Sequence, residues 1–417
     1  MTAGQLSILF FLQLAVIITV CRLVGSIGQR WLGQPQVVGE MIAGVLLGPS
    51  ILGLAAPGLE AALFPPESKK VLYVGAQLGV GLYMFLVGLT FDKAEFRASA
   101  RSAAVVAFGS MAAPFAVAAL MAPWLLGIPG LFTAKVGTAQ AALFLGAAIA
   151  ITAFPMLARI IHERGIAHTR LGTLSLSSGA IGDAGAWIVV AVVLASLGEG
   201  ARVAWLAIGG GLAFAVVMIA IAPRLLARLT AIHARKGEVD TTLLGAVLVL
   251  FLLSAFAMDA VGIHAVFGGF LLGTAMPRGP FAEEVRAKLE PFTTVFLLPM
   301  FFTFSGLNTQ LAVVDNLALA LAAVAILAAS VLAKGGATYL AARLSGHDHA
   351  TALGIGALMN ARGLMELIII NIGLQRGVIE PGLFAILVVM AIVTTLMASP
   401  LFEAVYGRRA RTEGKLA

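Results

Sequence analysis

The chain has 417 residues, of which 60% are hydrophobic and 11% charged, and its mean hydropathy is +1.02. This composition lies outside the range of soluble globular proteins and predicts an all-α polytopic membrane protein. A net charge of +7 could suggest nucleic acid binding, but the basic residues are spread over many loops, which argues against a nucleic-acid-binding module. The single cysteine excludes an internal disulfide.

Apolar windows of sufficient length to cross a bilayer predict about thirteen transmembrane helices. They lie at 6–28, 36–54, 70–91, 103–126, 138–163, 172–197, 202–229, 241–260, 262–276, 290–308, 316–344, 350–374 and 381–405. The second and the ninth windows are short and rich in glycine. The bilayer is therefore the first partner that the sequence implies.

Lysine and arginine in the loops set an orientation, because inner loops carry more of them. With the N-terminus outside, 20 of the 27 basic residues fall in inner segments and 5 in outer ones, and the remaining two are Lys334 and Arg362 within the membrane. This bias predicts a cytoplasmic C-terminus. We expect the home of the protein to be a bacterial inner (plasma) membrane.

The two halves of the chain resemble each other weakly and in the same order. Residues 44–48 (Gly-Val-Leu-Leu-Gly) recur as 269–273 (Gly-Phe-Leu-Leu-Gly), and residues 85–89 are similar in sequence to 302–307. An offset of seven helices makes the second copy inverted, a pattern typical of secondary transporters. The alternative is chance similarity between glycine-rich segments. We predict a first repeat at 1–201, a linker helix and inner loop at 202–240, an inverted repeat at 241–405 and a short tail at 406–417.

The fifth window contains Thr152 and Pro155. Proline removes a backbone donor and clashes with a preceding carbonyl, so it frees backbone acceptors in the middle of the membrane. Freed carbonyls and the Thr152 hydroxyl are hard oxygen ligands suited to Na⁺ or K⁺. The segment therefore predicts a broken helix near 152–155, with an ordinary kinked helix as the alternative.

The twelfth window contains Asn360, Arg362, Gly363 and Glu366, where a continuous helix should be apolar. Arg362 and Glu366 are four residues apart and can pair on one helix face. We expect a second broken helix near 360–363, whose dipole ends these charges oppose. The alternative is a purely structural ion pair.

Asp183 and Lys334 lie in the middle of the sixth and eleventh windows, and a charge at the bilayer centre costs about 2.5–3.5 kcal/mol on insertion scales. We interpret Asp183 as the site of the transported proton and monovalent cation, with the hydroxyls of Thr152 and Ser178 as further ligands. Lys334 is predicted to compensate charge and to pair with Asp183 when no cation is bound. The alternatives are a fully paired structural aspartate and a lysine that snorkels to the interface. Glu40 is expected to be interfacial.

The sequence contains no motif typical of a metal site, a nucleotide-binding site or an enzyme active site. No spacing of His, Cys or carboxylates indicates a transition-metal site, and no phosphate-binding loop or nucleophile motif is present. We therefore expect a protein that is not an enzyme, needs no cofactor and draws its energy from an ion gradient.

Several stretches together resemble the second branch of the monovalent cation:proton antiporter family, which includes bacterial sodium/proton antiporters, potassium-efflux proteins and plant cation/proton exchangers. The matching stretches are 33–50, 85–92, 151–159, Gly182-Asp183 before Trp187, 298–302 with 305–307, and 359–367. The resemblance implies a sodium/proton antiporter-like fold in a homodimer, with a scaffold and a mobile core that contains two broken, crossing helices.

The resemblance also implies elevator-like alternating access around Asp183, and it matches Lys334 and Thr152 to the family's core lysine and threonine. Many members have Asp or Asn at the position of Gly182, so the stoichiometry does not carry over. The expected function is exchange of Na⁺ or K⁺ for protons, and Li⁺ is not distinguished from them. The alternatives are a cation channel or gated K⁺ efflux pathway and a sodium-coupled organic anion symporter. The sequence leaves open whether a separate regulatory subunit exists.

Overall fold

A computed structural model describes residues 1–32, 34–91, 93–194, 201–307, 316–362 and 364–407. Regular structure in these residues is helical, apart from one isolated bridge between Phe132 and Ile379. Within this part of the chain, nine helices are long and apolar enough to cross a membrane, and two further apolar helices are shorter. The all-helical membrane fold is therefore confirmed, while the number of thirteen spans stays a prediction.

The helices are numbered in chain order. They are α1 (Ala3–Leu32), α2 (Gln36–Leu47), α3 (Leu52–Ala55), α4 (Pro57–Leu63), α5 (Pro66–Thr90), α6 (Lys93–Leu126), α7 (Thr138–Ala150), α8 (Phe154–Glu163), α9 (Arg170–Leu194), α10 (Ala201–Val216), α11 (Ala222–Lys236), α12 (Thr241–Ala260), α13 (Ala265–Ala275), α14 (Pro280–Phe292), α15 (Leu298–Leu307), α16 (Leu317–Leu344), α17 (His349–Leu358), α18 (Leu364–Gln375) and α19 (Pro381–Phe402).

Three π-helical turns interrupt or extend these helices, at Val217–Ile221, Thr293–Leu297 and Glu403–Gly407. The first two lie just before Pro223 and Pro299, which open α11 and α15. A proline cannot donate to the carbonyl four residues earlier, and a wider turn accommodates the missing bond. The predicted seventh and tenth spans are therefore locally distorted helices.

The chain forms two compact units whose segments alternate along the sequence. The first comprises Met1–Ile18, Phe64–Lys93 and Leu194–Phe304, and the second comprises Thr19–Leu63, Ala94–Val193 and Ser305–Ala417. The boundaries of these units differ in kind from those of the predicted repeats, which stay a prediction. Residues 408–417 of the predicted tail lie outside the described residues.

In the first unit, glycines bring α5 and α13 into close contact. A Cβ built on Gly88 would lie 2.4 Å from the carbonyl oxygen of Phe270, and one on Gly273 would lie 2.1 Å from that of Phe85. No larger residue fits such an approach, which is how small residues stabilise helix pairs in membranes. The second unit contains every described candidate residue.

Candidate ion-binding site

The first break lies between α7 and α8. Residues 151–153 leave the helix, with extended dihedral angles at Ile151 (φ −64°, ψ 131°), and α8 begins at Phe154. Pro155 lies in the first turn of α8, where its missing N–H has no helical acceptor to lose. The proline therefore lies within the first turn of the second half-helix, two residues after the last unwound residue, Ala153.

The second break separates α17 from α18. After Leu358 the chain makes a turn at Met359 and Asn360, and Ala361 and Arg362 are not helical. The side-chain amide of Asn360 donates to the carbonyl oxygen of Gly356 at 2.9 Å, which satisfies one of the open carbonyls at the end of α17. Gly363, which we predicted to belong to this break, lies outside the described residues.

The two breaks are hydrogen-bonded to each other. The backbone N–H of Ala153 donates to the carbonyl oxygen of Ala361 at 3.1 Å, and the Thr152 hydroxyl donates to the carbonyl oxygen of Met359 at 3.3 Å. Thr152 is 3% exposed. Backbone groups that would have no partner in lipid are therefore satisfied by the opposite break, and four half-helix ends meet at one buried point.

Two buried cations cap the end of α7. Arg362 donates from Nη1 to the carbonyl oxygen of Ala148 (2.9 Å) and from Nη2 to that of Ile149 (2.8 Å). Lys334 of α16 donates from Nζ to the carbonyl oxygen of Ala150. The last carbonyls of a helix have no partner within it and carry the negative end of its dipole. Both side chains therefore neutralise a helix C-terminus midway along the apolar stretch Thr138–Glu163.

Arg362 also forms the predicted ion pair with Glu366 in the first turn of α18. The distance from Nη1 to Oε1 is 3.3 Å and both side chains are fully buried. The carboxylate lies near the positive end of the α18 dipole, so each charge faces the helix end of opposite sign. The backbone N–H of Arg362 donates to the Thr395 hydroxyl of α19 at 2.9 Å, which fixes the unwound residue in place.

Asp183 reaches the level of the first break through the packing of α9 on α8. The short turn after Glu163 brings α9 back along α8, and a Cβ built on Gly179 would lie 2.8 Å from Leu157 and 3.2 Å from Phe154. Asp183 follows Gly179 by one helical turn. It therefore lies beside the residues that precede Phe154, which are those of the break.

The Asp183 carboxyl group is 1% exposed, and neither oxygen has a hydrogen-bond partner among the described residues. The ion pair with Lys334 that we expected is not found there, because the lysine is bonded to Ala150 instead. Burial of an ionised carboxylate without a partner is costly. The group is stable at this place as the neutral acid or with a cation beside it.

Other buried oxygens in this unit also lack hydrogen-bond partners among the described residues, including Ser178 Oγ and Asn360 Oδ1. Such oxygens are the ligands that hard cations prefer. The described residues hold no group of three or more His, Cys, Asp or Glu side chains that could bind a metal ion.

Glu40 is an acid that we expected to be interfacial, and the structure shows that protein covers it. It is fully buried in α2, and Arg159 and Glu163 of α8 are among the charged groups that act on it. Glu163 bonds Arg159 at 2.5 Å and accepts from the backbone N–H of Val37 at 3.4 Å, so α8 and the start of α2 are joined around Glu40. An acid inside an apolar window was the signal available in the sequence.

Comparison with known proteins identifies the family. The sequence model described as "Sodium/hydrogen exchanger, transmembrane" matches residues 15–405. The chain belongs to this family. It is 36% identical over 404 residues to a Na⁺/H⁺ antiporter of Synechocystis, with 96% of this chain and 97% of that protein covered.

Other relatives are antiporters of a plant and of a second bacterium. Cation/H⁺ antiporter 18 of Arabidopsis thaliana is 35% identical and aligns with 98% of this chain, which spans about half of that protein's length. A Na⁺/H⁺-K⁺ antiporter of Bacillus cereus is 28% identical, with 96% of this chain and 97% of that protein covered. The solved structure of a sodium proton antiporter from Methanocaldococcus jannaschii has the same fold, with a TM-score of 0.65 at 16% identity over 96% of this chain and 97% of that one.

Proposed function

We propose that this protein exchanges a monovalent cation, Na⁺ or K⁺, for protons across the membrane, and that Asp183 binds the proton and the cation alternately. Relatives of this chain are named as Na⁺/H⁺ and K⁺/H⁺ antiporters. The observation that carries the proposal is the Asp183 carboxyl group, which is buried at the level of the crossing breaks and has no hydrogen-bond partner among the described residues.

Exchange follows from the charge balance of such a site. A buried carboxylate needs one positive charge, which a proton or a cation can supply, and the two compete for the same oxygens. Because Lys334 and Arg362 are bonded to the end of α7, neither is held by Asp183 in this structure. The carboxylate is then available to the transported ion, and we expect oxygens of Thr152, Ser178 and Asn360 as further ligands.

The same contacts weigh against the organic anion symporter. That hypothesis assigns Arg362 to the substrate anion, but both of its terminal nitrogens donate to α7 carbonyls and one also contacts Glu366. A substrate anion that bound the terminal nitrogens of Arg362 would compete with these three acceptors. A cation that binds near Asp183 disturbs none of these bonds.

Inverted repeats are common in alternating-access transporters, and the glycine packing supports such a repeat here. A Cβ built on Gly306 of α15 would lie 2.3 Å from the carbonyl carbon of Gly44 of α2, so these two helices pack closely at their glycines. Gly273 of α13 packs against Gly88 of α5 in the same way. Gly44 and Gly273 belong to the matching segments 44–48 and 269–273, and Gly306 and Gly88 belong to the matching segments 302–307 and 85–89. Each contact therefore joins the same two kinds of segment, as an inverted repeat predicts. We infer an alternating-access antiporter, dimeric, with an outer N-terminus, in a bacterial inner membrane.

The test is the dissipation of a preformed pH gradient in everted vesicles after separate additions of Na⁺, K⁺ and Li⁺. Wild-type vesicles should lose the gradient with at least one cation, and Asp183→Asn vesicles with none. Glu67→Gln, which removes an exposed carboxylate at the start of α5, is the matched control and should behave as wild type. If Asp183→Asn retained cation flux, a channel that needs no protonatable carrier would be favoured.

A further inference from the structure

An apolar groove of about 580 Å³ lies between α6 and α16 in the second unit. Phe108 of α6 and Leu340 and Leu344 of α16 are among the residues that line it, and all three are exposed. The helices touch at its floor, where a Cβ built on Gly109 would lie 3.2 Å from the Cβ of Ala341. The small residues at this contact form the floor of the groove, and the large apolar side chains form its walls.

The two helices run in opposite directions along the groove. Gly109 lies beside Ala337 and Ala341 near the end of α16, whereas Gly130, just beyond the end of α6, lies beside Leu319 at the start of α16. The beginning of α6 and the end of α16 therefore share one end of the groove.

Arginines are placed at that shared end. Arg97 and Arg101 precede Phe108 on α6 by about three and two helical turns, so all three lie on one face of the helix. Arg343 precedes Leu344 in the last turn of α16. All three arginines are exposed. The apolar groove thus has three exposed arginines on its two helices at one end, and one of them, Arg343, also donates to the carbonyl oxygen of His347 at 2.8 Å.

We propose that this groove binds one anionic phospholipid, with an acyl chain between Phe108 and Leu340 and the phosphate at the arginine end. The occupant must be apolar along the walls and anionic at one end, which describes a membrane lipid with a net negative headgroup. Guanidinium groups match phosphate oxygens in a bidentate manner, and basic pockets between transmembrane helices are known binding places for such headgroups. The proposal is independent of the transported ion.

The headgroup test is native mass spectrometry of the full chain, purified from vesicles with equal amounts of phosphatidylglycerol and phosphatidylcholine. Wild type should retain one phosphatidylglycerol in preference to phosphatidylcholine. Arg101→Gln should lower that preference about fivefold, equivalent to about 1 kcal/mol for one arginine near the bilayer surface. Arg228→Gln, which removes an exposed arginine of α11 in the first unit, is the matched control and should leave the preference unchanged.

The groove itself is tested by filling it. Ala112→Phe places a ring in the groove and should remove the retained lipid, while Ala213→Phe, at an exposed position of α10, should not. Equal retention of the two lipids by wild type would overturn the proposal. So would equal losses in Arg101→Gln and Arg228→Gln, or full retention in Ala112→Phe.

Discussion

Lys334 donates its hydrogen bond to the carbonyl oxygen of Ala150, the last residue of α7, and does not pair with Asp183 in this structure. The lysine is thus part of a capped helix end, together with Arg362. This relationship separates the groups that hold the broken helix together from the group that we assign to the ion.

Replacement of the lysine tests this division. Lys334→Met keeps most of the length and removes the charge, so Ala150 loses its charge-assisted hydrogen bond, which is worth about 1.5–3 kcal/mol. We expect a lower melting temperature of the detergent-purified protein and weaker exchange, with partial recovery of both in Lys334→Arg. Unchanged melting in Lys334→Met would contradict a capping role.

The Arg362–Glu366 pair should behave as a buried pair. Removing one partner of a buried pair costs about 3–5 kcal/mol, because the other charge is left uncompensated. We expect Glu366→Gln to destabilise strongly and the double variant with Arg362→Gln to be less damaged than the sum of the two changes. The melting temperature of each variant is the measurement, and full additivity would argue against coupling.

A second pair in the same chain provides the control. Arg286 and Glu290 are also four residues apart and form an ion pair at 2.8 Å, but their side chains are 37% and 40% exposed. Exposed helix pairs contribute only about 0.3–0.5 kcal/mol. The same substitutions at these positions should therefore change the melting temperature little.

Adjacent glycines on α16 offer a test of the second break. A Cβ built on Gly335 would lie 2.8 Å from the Asn360 amide nitrogen, whereas one on Gly336 would meet nothing within 4 Å. We expect Gly335→Ala to displace the Asn360 side chain and raise the cation concentration for half-maximal exchange, and Gly336→Ala to leave it unchanged. Similar values for the two variants would show that the Asn360 position does not matter for transport.

Acid should weaken the start of α17 through its N-cap. Hydrogen bonds to Thr351 and to the backbone N–H of Ala350 lower the pKa of Asp348. A lowered folded-state pKa means that this stabilisation is present above the ordinary aspartate pKa and is lost as pH falls through the lowered one. Asp348→Ala should thus cost about 1 kcal/mol near neutral pH and progressively less in acid. A pH-independent cost, measured by thermal melting, would be the contrary result.

The sequence was sufficient for the class of fold and for the approximate positions of the two breaks, because polar and charged residues are costly inside an apolar window and are rare there unless they serve a site. Asn360, Arg362 and Glu366 are named by that argument alone, and the structure places the described members of both breaks together.

Partners across the chain could not be predicted. Nothing in the order of residues indicates that Lys334 bonds Ala150, since that contact depends on how α16 crosses the break. Glu40 is a second example: its place near the start of a helix suggested an interface, and only the structure shows that α8 with its Arg159–Glu163 pair lies close to it. Burial of a helix end by a neighbouring helix is a tertiary property that periodicity does not encode.

The central claim is that one carboxyl group, that of Asp183, carries both the proton and the cation. The most direct test is proton release from the purified protein when Na⁺, K⁺ or Li⁺ is added in weakly buffered solution, followed with a pH-sensitive dye. We predict that the transported cation releases protons from wild type and that Asp183→Asn releases none, while Glu67→Gln behaves as wild type. Proton release that persists in folded Asp183→Asn, or cation binding by wild type without any release, would contradict the account.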